Sequence, residues 1–145
     1  MADAPTIHAS AVLIGAKAVL IRGPSGAGKS RLAWDLISSP ALPFARLVAD
    51  DRAHVEAHHG RLLVRPAPSL AGLLEVRGLG IRQVPYEPVA TVGTVIDLAA
   101  ADAVRHPERT QTTVEGIALP RLAAGPGMEP LAMLLALWRS APPAD

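Results

Sequence analysis

The sequence predicts an α/β protein with short strands, β-hairpins and few helices, arranged around a phosphate-binding loop. Half of its 145 residues are hydrophobic but only 3% are aromatic, so alanine, valine, leucine and isoleucine must fill the core. Short aliphatic runs alternate with glycine and proline, which is typical of strands joined by tight turns. A glycine-rich stretch, 23–30, lies between one such run and a run with helical spacing. The length predicts one compact domain over residues 1–145.

The charge of the sequence and its lack of sorting signals indicate which function classes and locations to expect. The formal net charge is +1, from 14 basic and 13 acidic residues that form no basic stripe, which argues against nucleic acid binding. The chain has no cysteine, no apolar run of transmembrane length and no signal segment. We therefore expect a cytoplasmic protein that binds neither nucleic acid nor a membrane.

The N-terminal half predicts two hairpins, a helix and a strand. In AVLIGAKAVLIRG two aliphatic stretches meet at Gly15, and the second leads directly into the glycine-rich stretch. Leu32 and Leu36 then recur at helical spacing until a Ser-Ser-Pro sequence ends the pattern. FARLVADD predicts a further strand, and HVEAHHGRLLV predicts a second hairpin around its His-His-Gly turn.

The C-terminal half predicts further strands and a closing helix. Glycines at positions 78 and 80 break any helix in LLEVRGLGIRQV and mark a tight loop. VATVGTVIDLAA and TTVEGIALPRL each predict one strand, with a polar loop over 99–113 between them. In EPLAMLLALWR one helical face should pack on the sheet, and its residues are Leu131, Leu134, Leu135 and Trp138.

The glycine-rich stretch matches the pattern G-x-x-x-x-G-K-[ST] of a phosphate-binding loop. Glycines let consecutive backbone N–H groups point at phosphate oxygens, Lys29 supplies a positive charge, and the Ser30 hydroxyl can bind Mg²⁺. A chance match in this chain has a probability of about one in a thousand. We therefore predict that nucleotide phosphates bind Gly23, Pro24, Ser25, Gly26, Ala27, Gly28, Lys29 and Ser30.

The loop alone does not select the reaction, because kinases, ATPases and GTPases all use it. A GTPase needs a guanine-reading segment of the NKxD type, and this chain has lysine only at positions 17 and 29. A nucleotide kinase usually has a lid and a monophosphate site in a longer chain. Both classes therefore rank lower.

Two charged segments downstream of the loop, an Asp-Asp pair and a Glu-Val-Arg run, could complete a phosphoryl-transfer site. Asp50 and Asp51 follow a strand and, if extended, point to opposite faces. One could take a proton from an attacking hydroxyl, while the other holds a metal-bound water or caps a turn. Glu75 could complete a metal shell, and Arg77 could neutralise transferring phosphate charge. The backbone could approach a ligand closely at two glycines, Gly78 and Gly80.

Four motifs, taken in order, resemble the catalytic, C-terminal domain of the HPr kinase/phosphorylase family. They are HASAVLI with His8, the loop GPSGAGKS, RLVADD and, above all, LEVRGLGI. The resemblance covers residues 6–125, and LEVRGLGI is close to a family signature. It implies a P-loop-containing α/β core similar to phosphoenolpyruvate carboxykinase.

The resemblance also implies an activity. Members of the family transfer the γ-phosphoryl group of ATP to a serine of HPr, a small phosphocarrier of the phosphotransferase system. They also remove that group by attack of inorganic phosphate, which gives pyrophosphate. We therefore expect a protein serine kinase that uses ATP and Mg²⁺ and that acts on an HPr-like phosphocarrier.

Roles carry over from the family by position. Asp51 would be the base that takes the serine proton, and His8 would lie beside it. Lys29 would be catalytic. The metal ligands would be Ser30 and Glu75, and Arg109 would match a further family arginine.

Three departures limit what the resemblance implies. The chain begins close to His8, so it resembles a truncated form without the N-terminal domain, and a homo-oligomer is allowed but the hexamer of long members is not implied. The segment that helps dephosphorylation in long members is LPRLAAGPG here and retains only Arg121. Arg31 stands where long members often have an acid. Kinase activity is therefore a firmer expectation than phosphorylase activity.

Two other function classes stay open. A non-enzymatic nucleotide sensor would bind ATP and a partner without turnover. A small-molecule kinase or ATPase would consume ATP without any protein partner.

Overall fold

The computed structural model describes residues 5–105, 107–108 and 110–144. Within them the chain is mostly sheet, with eleven strands, two α-helices and one short 3₁₀ turn. The helices are α1 (Lys29–Ser38) and α2 (Pro130–Trp138), and the 3₁₀ turn is Pro68–Leu70. The strands are β1 (Thr6–Ile7), β2 (Ala9–Ile14), β3 (Lys17–Arg22), β4 (Ala45–Ala49), β5 (Ala53–His58), β6 (Arg61–Pro66), β7 (Leu73–Val76), β8 (Gly80–Gln83), β9 (Ala90–Leu98), β10 (Gln111–Val114) and β11 (Ile117–Ala124).

Strand β9 lies at the centre of a nine-stranded sheet with the order β1-β5-β6-β9-β3-β2-β4. Its first residues pair antiparallel with β6, and its later residues pair in parallel with β3 on one side and β11 on the other. β10 extends the sheet from β11, and β7 and β8 form a separate two-stranded hairpin. The carboxyl ends of three parallel strands therefore meet at one edge, where the loop after β3 begins.

Two hydrophobic cores form because side chains alternate between the faces of each strand. In β3, Leu20 belongs to one core and Ile21 to the other. Helix α1 covers the second core with its apolar stripe, in which Leu32 and Leu36 are buried. α2 joins this core through Leu134, which is fully buried. The helix after the glycine-rich loop is thus fixed to the sheet by packing.

The predicted α/β fold class is confirmed, and most predicted elements form. Both early hairpins, the helix after the loop, the strand before the two aspartates and the strand over 90–98 are present. The glycines at positions 78 and 80 have φ angles of 89° and flank the tip of the β7–β8 hairpin. No helix in the described ranges has the length and apolar character that crossing a bilayer requires.

Two predictions need correction. TTVEGIALPRL is not one strand but a hairpin, β10 and β11, because Glu115 and Gly116 adopt φ angles of 50° and 78° that turn the chain. The polar loop before it accordingly ends at residue 110, where β10 follows. In α2, Trp138 remains 37% exposed, because it is the last helical residue and lies beyond the core that buries Leu134.

Candidate active site

The glycine-rich loop connects the end of β3 to the start of α1. Gly26 and Gly28 have φ angles of 83° and 100°, which favour glycine, and Gly28 is the residue directly before the helix. Gly23 needs its small size for a second reason. A Cβ atom placed on Gly23 would lie 3.2 Å from both the Cβ and the carbonyl oxygen of Leu98 in β9. The loop therefore starts in close contact with the central strand.

Lys29 is folded under this loop. Its Nζ donates to the carbonyl oxygens of Gly23 at 2.8 Å and Pro24 at 3.2 Å, and the residue is only 6% exposed. Burying an ammonium group is unfavourable unless hydrogen bonds compensate, and these two carbonyls provide them. The lysine charge is thus held at the base of the loop, at the positive N-terminal end of α1.

Asp50 lies at the centre of a buried polar cluster at the end of β4. Its Oδ1 accepts hydrogen bonds from the hydroxyls of Ser10 at 2.8 Å and Ser30 at 2.7 Å. Its Oδ2 accepts from the Ser30 hydroxyl at 2.9 Å and from the backbone N–H of Glu75 at 3.2 Å. One carboxylate therefore joins the first turn of α1, strand β2 and the β7–β8 hairpin.

Asp51 differs from its neighbour in exposure and in backbone conformation. Asp51 is exposed, whereas Asp50 is buried. The backbone of Asp51 has a φ of 67°, an uncommon value for a residue other than glycine. Two hydrogen bonds hold it there: its N–H donates to Ser10 Oγ at 3.0 Å, and its carbonyl accepts from Ala9 N at 3.2 Å. His8, exposed at the bend before Ala9, is therefore next to a residue bonded to Asp51.

The β7–β8 hairpin carries the Glu75 to Gly80 run. The Glu75 side chain is exposed, although its backbone is bonded to Asp50. Beyond it, every residue from 77 to 83 is exposed, including Arg77 and both predicted glycines. Leu79 and Ile81 are 69% and 63% exposed and are the two most exposed large hydrophobic residues of the described chain.

Two further parts of the structure were not found in the sequence. Ser10 is fully buried and links both aspartates, and its only sequence signal is a lone hydroxyl inside an apolar strand. The second is an ion network at the strand ends, in which Asp97 pairs with Arg22 and Arg121. A charge that ends an otherwise aliphatic strand, such as Arg22 or Asp97, is the signal that could have indicated it.

The electrostatics of this network are set by its hydrogen bonds. Partial burial alone would raise the pKa of Asp97, but the hydrogen bonds and charges of Arg22 and Arg121 outweigh it and hold that pKa below its usual value. Hydrogen bonds to Asp102 and Asp97 raise the pKa of Arg121. Both shifts favour the charged forms of Asp97 and Arg121.

Two arginines singled out in the sequence are not part of this cluster as described. The Arg31 side chain is exposed and lies 3.9 Å from Asp35 one helical turn away, so it faces solvent beside the loop. Arg109, predicted as a functional arginine, lies outside the described residues. Among the described residues, no three His, Cys, Asp or Glu side chains come together as a metal cage.

The arrangement suits phosphoryl transfer. A phosphate-binding loop, a buried lysine and a serine–aspartate pair lie together, and an exposed carboxylate follows directly in the chain. Mg²⁺ bound to a nucleotide is held by one or two protein oxygens together with phosphates and waters. The Ser30 and Asp50 oxygens therefore fit such an ion without a cage of protein ligands.

Comparisons with known proteins lead to one family. The profile of the HPr serine kinase C-terminal domain matches residues 1–87. HPr kinase/phosphorylase from Streptococcus thermophilus is 37% identical over 115 residues, which are 79% of this chain and 32% of that protein. HPr kinase/phosphorylase from Clostridium tetani is 34% identical over 109 residues, which are 75% of this chain and 34% of that protein. The chain thus spans about a third of the length of these curated relatives.

A solved structure shares the fold. The HPr(Ser) kinase/phosphatase from Coxiella burnetii aligns with a TM-score of 0.73, covering 93% of this chain and 88% of that chain at 24% identity. Because it covers 93% of this chain, the likeness extends beyond the 87 residues that the family profile matches.

Proposed function

Because this chain belongs to the family of the HPr serine kinase C-terminal domain, we propose that it is an ATP- and Mg²⁺-dependent protein serine kinase acting on an HPr-like phosphocarrier. The observation that carries the proposal is the pair of contacts of Asp50, with Ser30 in the first turn after the phosphate loop and with the backbone of the signature hairpin. Those contacts connect the nucleotide side of the site to the hairpin formed by LEVRGLGI, the motif that is close to a family signature.

In this proposal, each protein group on the nucleotide side of the site has its own role. The backbone N–H groups of the loop and Lys29 would bind the β and γ phosphates of ATP. Ser30 and Asp50 would hold Mg²⁺, which supplies positive charge to the transferring group, and Glu75 would add a second carboxylate from the neighbouring hairpin. Lys29 would exchange its two carbonyl partners for phosphate oxygens, since its ammonium already lies at the base of the loop.

The acceptor side centres on Asp51. Its exposed carboxylate would take the proton from the serine hydroxyl while the serine oxygen forms a bond to the γ-phosphorus. The bond from that phosphorus to the bridging oxygen breaks, and ADP leaves. Ser10 and Ala9 fix the backbone of Asp51, and His8 would orient its carboxylate. The constrained backbone thus supports a precisely aimed base.

The reverse reaction uses the same groups. Inorganic phosphate would attack the phosphorus of phosphoserine, the bond to the serine oxygen would break, and Asp51 would return the proton while pyrophosphate forms. Arg121, the one arginine retained from the family segment that helps this reaction, already pairs with Asp97 and Asp102. Kinase activity is therefore the primary proposal, and phosphorolysis is secondary.

The tip of the β7–β8 hairpin would receive the carrier. Leu79 and Ile81 offer an exposed apolar contact, and Arg77 and Arg82 on either side form no ion pair within the described residues. Exposed apolar groups ringed by charge are typical of a protein-binding surface. The partner surface that fits is apolar with acidic groups around the serine, and Arg77 would also neutralise phosphate charge during transfer.

Three broader features belong to the same proposal. The core would be of the P-loop type similar to phosphoenolpyruvate carboxykinase and would fold as one domain over residues 1–145. The protein would act in the cytoplasm, where phosphotransferase carriers work. The protein could also form a homo-oligomer, which sedimentation velocity would detect.

One assay tests the proposal and separates it from the two alternatives. The protein is incubated with ATP and Mg²⁺, with and without an HPr-like carrier, and the intact mass of the carrier and the release of ADP are measured. We expect the carrier to gain one phosphoryl group and ADP to appear only when the carrier is present. ADP release without the carrier would favour a small-molecule kinase or ATPase, and ATP binding without any turnover would favour a sensor.

A further inference from the structure

Asp97 is the shared acceptor of two arginines at the edge where the parallel strands end. Its Oδ1 accepts from Arg22 Nε at 2.7 Å, and its Oδ2 accepts from Arg22 Nη2 at 2.9 Å and from Arg121 Nε at 2.6 Å. The Arg22 contact is bidentate, the arrangement with the most restricted geometry among such pairs. One carboxylate therefore links the ends of β3 and β9 to the middle of β11.

The network extends in both directions from Asp97. Arg121 uses its other edge to donate to both oxygens of Asp102 in the segment after β9, at 2.7 and 2.9 Å. Arg22 also donates to Thr112 Oγ1 in β10 at 3.3 Å. The segment after β9 is thus tied to the same strand ends as the start of the phosphate loop.

The phosphate loop begins directly at this network. Arg22 is register partner to Asp97 and is followed by Gly23, which contacts Leu98. The carbonyl of Gly23 accepts the shorter of the two Lys29 hydrogen bonds. A shift of Arg22 along or away from β9 would therefore move the carbonyl that holds the lysine.

We propose that Asp97 is a positioning residue for nucleotide binding, which holds Arg22 so that Gly23 and Lys29 keep the geometry that the phosphates require. Asp97 does this without contacting the nucleotide, and the effect passes through the backbone between Arg22 and Gly23. This inference rests on the nucleotide binding of the proposed function but not on phosphoryl transfer. A partly buried ion pair adds little to stability by itself, because desolvation offsets the attraction, so geometry is the property that it can supply.

The test compares nucleotide affinity with stability. Binding of a non-hydrolysable ATP analogue with Mg²⁺ is measured by titration calorimetry, and unfolding midpoints are measured in urea. The variants are Asp97→Asn and the milder Arg22→Lys, which keeps the charge but loses the bidentate contact. The control is Glu87→Gln, which removes a more exposed ion pair of 3.1 Å between Glu87 and Arg46 of β4.

We expect the affinity for the ATP analogue to fall by more than the change in the unfolding midpoint can explain. Asp97→Asn should weaken binding by about twofold to thirtyfold, the range for residues that act through a connected network. Arg22→Lys should weaken it less, and Glu87→Gln should leave it unchanged at a comparable shift in midpoint. If Asp97→Asn does not fold, Arg22→Lys alone decides the question.

Two results would overturn the inference. The first is wild-type affinity in both network variants, and the second is an equal loss in Glu87→Gln, which would mean a general effect of destabilisation. Either result would still be consistent with the proposed kinase activity, provided that the wild type phosphorylates a carrier. A wild type that binds nucleotide without transferring phosphate would contradict the kinase and leave the inference to be decided by the variants. No nucleotide binding by the wild type would overturn both.

Discussion

The buried cluster around Asp50 is bonded to strand β7 of the β7–β8 hairpin, yet this cluster and the exposed tip of the same hairpin are built in opposite ways. Asp50 and Lys29 are buried with their polar atoms hydrogen-bonded. The residues from 77 to 83 are exposed, and two large hydrophobic side chains among them have no core to pack in. In the proposed function, the phosphate site would be preorganised by the fold, whereas the protein-binding site would be presented at the surface and completed by its partner.

The largest expected effect is on the proton transfer at Asp51. Asp51→Asn keeps the size of the side chain but removes its ability to accept the serine proton, so phosphoryl transfer should fall by about 10²–10⁴-fold. Nucleotide affinity should stay near the wild-type value, because Asp51 lies outside the buried cluster. Initial rates of carrier phosphorylation and calorimetric binding would check this.

The control for this prediction is Asp35→Asn, which changes a carboxylate on the exposed side of α1 and should leave the rate unchanged. Loss of nucleotide affinity in Asp51→Asn would break the separation between a buried phosphate site and an exposed acceptor site.

The next largest effect is expected at Asp50. In Asp50→Asn an amide donor would face the donors at Ser30, Ser10 and the backbone of Glu75, so the Mg²⁺-dependent part of nucleotide affinity should fall by about tenfold to a hundredfold. The free energy of unfolding should fall by about 1–3 kcal/mol, because buried groups lose their partner. Titrations with and without Mg²⁺, together with urea unfolding, would measure both quantities.

Glu56→Gln serves as the control, since Glu56 forms an exposed pair with Arg65 on the distant β5–β6 hairpin. Equal nucleotide affinity of Asp50→Asn and the wild type in Mg²⁺ would remove Asp50 from the metal site and leave it a purely structural residue.

A smaller and more selective effect is expected at the hairpin tip. The double substitution Leu79→Ser and Ile81→Ser should raise the KM for the carrier by about thirtyfold, because the contact loses two apolar side chains of about 1 kcal/mol each. The KM for ATP and the unfolding midpoint should not change, since both residues are exposed. Steady-state kinetics with each substrate varied in turn would show the difference.

Val104→Ser is a suitable control, because Val104 is also an exposed large hydrophobic residue but lies in another part of the chain. An unchanged KM for the carrier in the hairpin variant would mean that the exposed tip is not the partner surface.

The smallest effect concerns pH and the network at Asp97. Its pKa lies below the ordinary value of 3.8, so the folded state favours the charged carboxylate. The resulting stabilisation is present above the unfolded pKa and is lost as the pH falls through the folded pKa. The difference in unfolding free energy between the wild type and Asp97→Asn should therefore be constant above about pH 5 and shrink on acidification. Urea unfolding over a pH series would check the sign, and a difference that grows in acid would contradict it.

Features that depend on interactions between neighbouring residues could be predicted from the sequence, whereas features that depend on contacts between distant residues could not. The two early hairpins, the glycine-rich loop and α1 were predictable because turn residues and apolar periodicity act locally. The expectation that Asp50 and Asp51 point to opposite faces assumed an extended chain, whereas Asp51 has a φ of 67°. Which of the two meets Ser30 depends on how β4 is placed against α1. The roles assigned to the site residues, including Asp51 and Glu75, stay predictions.

The missed features depend on contacts between distant positions. Asp97 is 75 residues from Arg22, and only the parallel pairing of β3 with β9 brings them together. The β10–β11 turn was missed because Glu115 takes a left-handed conformation that usually goes to glycine or asparagine. Trp138 was assigned to a buried face because periodicity indicates a face but not where the core ends.

The burial of Lys29 has a chemical consequence. The chain contains two lysines, and one of them holds its ammonium against two backbone carbonyls, while Lys17 is exposed at the start of β3. An amine-reactive reagent applied to the folded protein will therefore modify Lys17 and leave Lys29 largely untouched. Of the two lysines, a dye will accordingly label the one at the end of β3 opposite the phosphate loop, in addition to the N-terminal α-amino group that such reagents also modify.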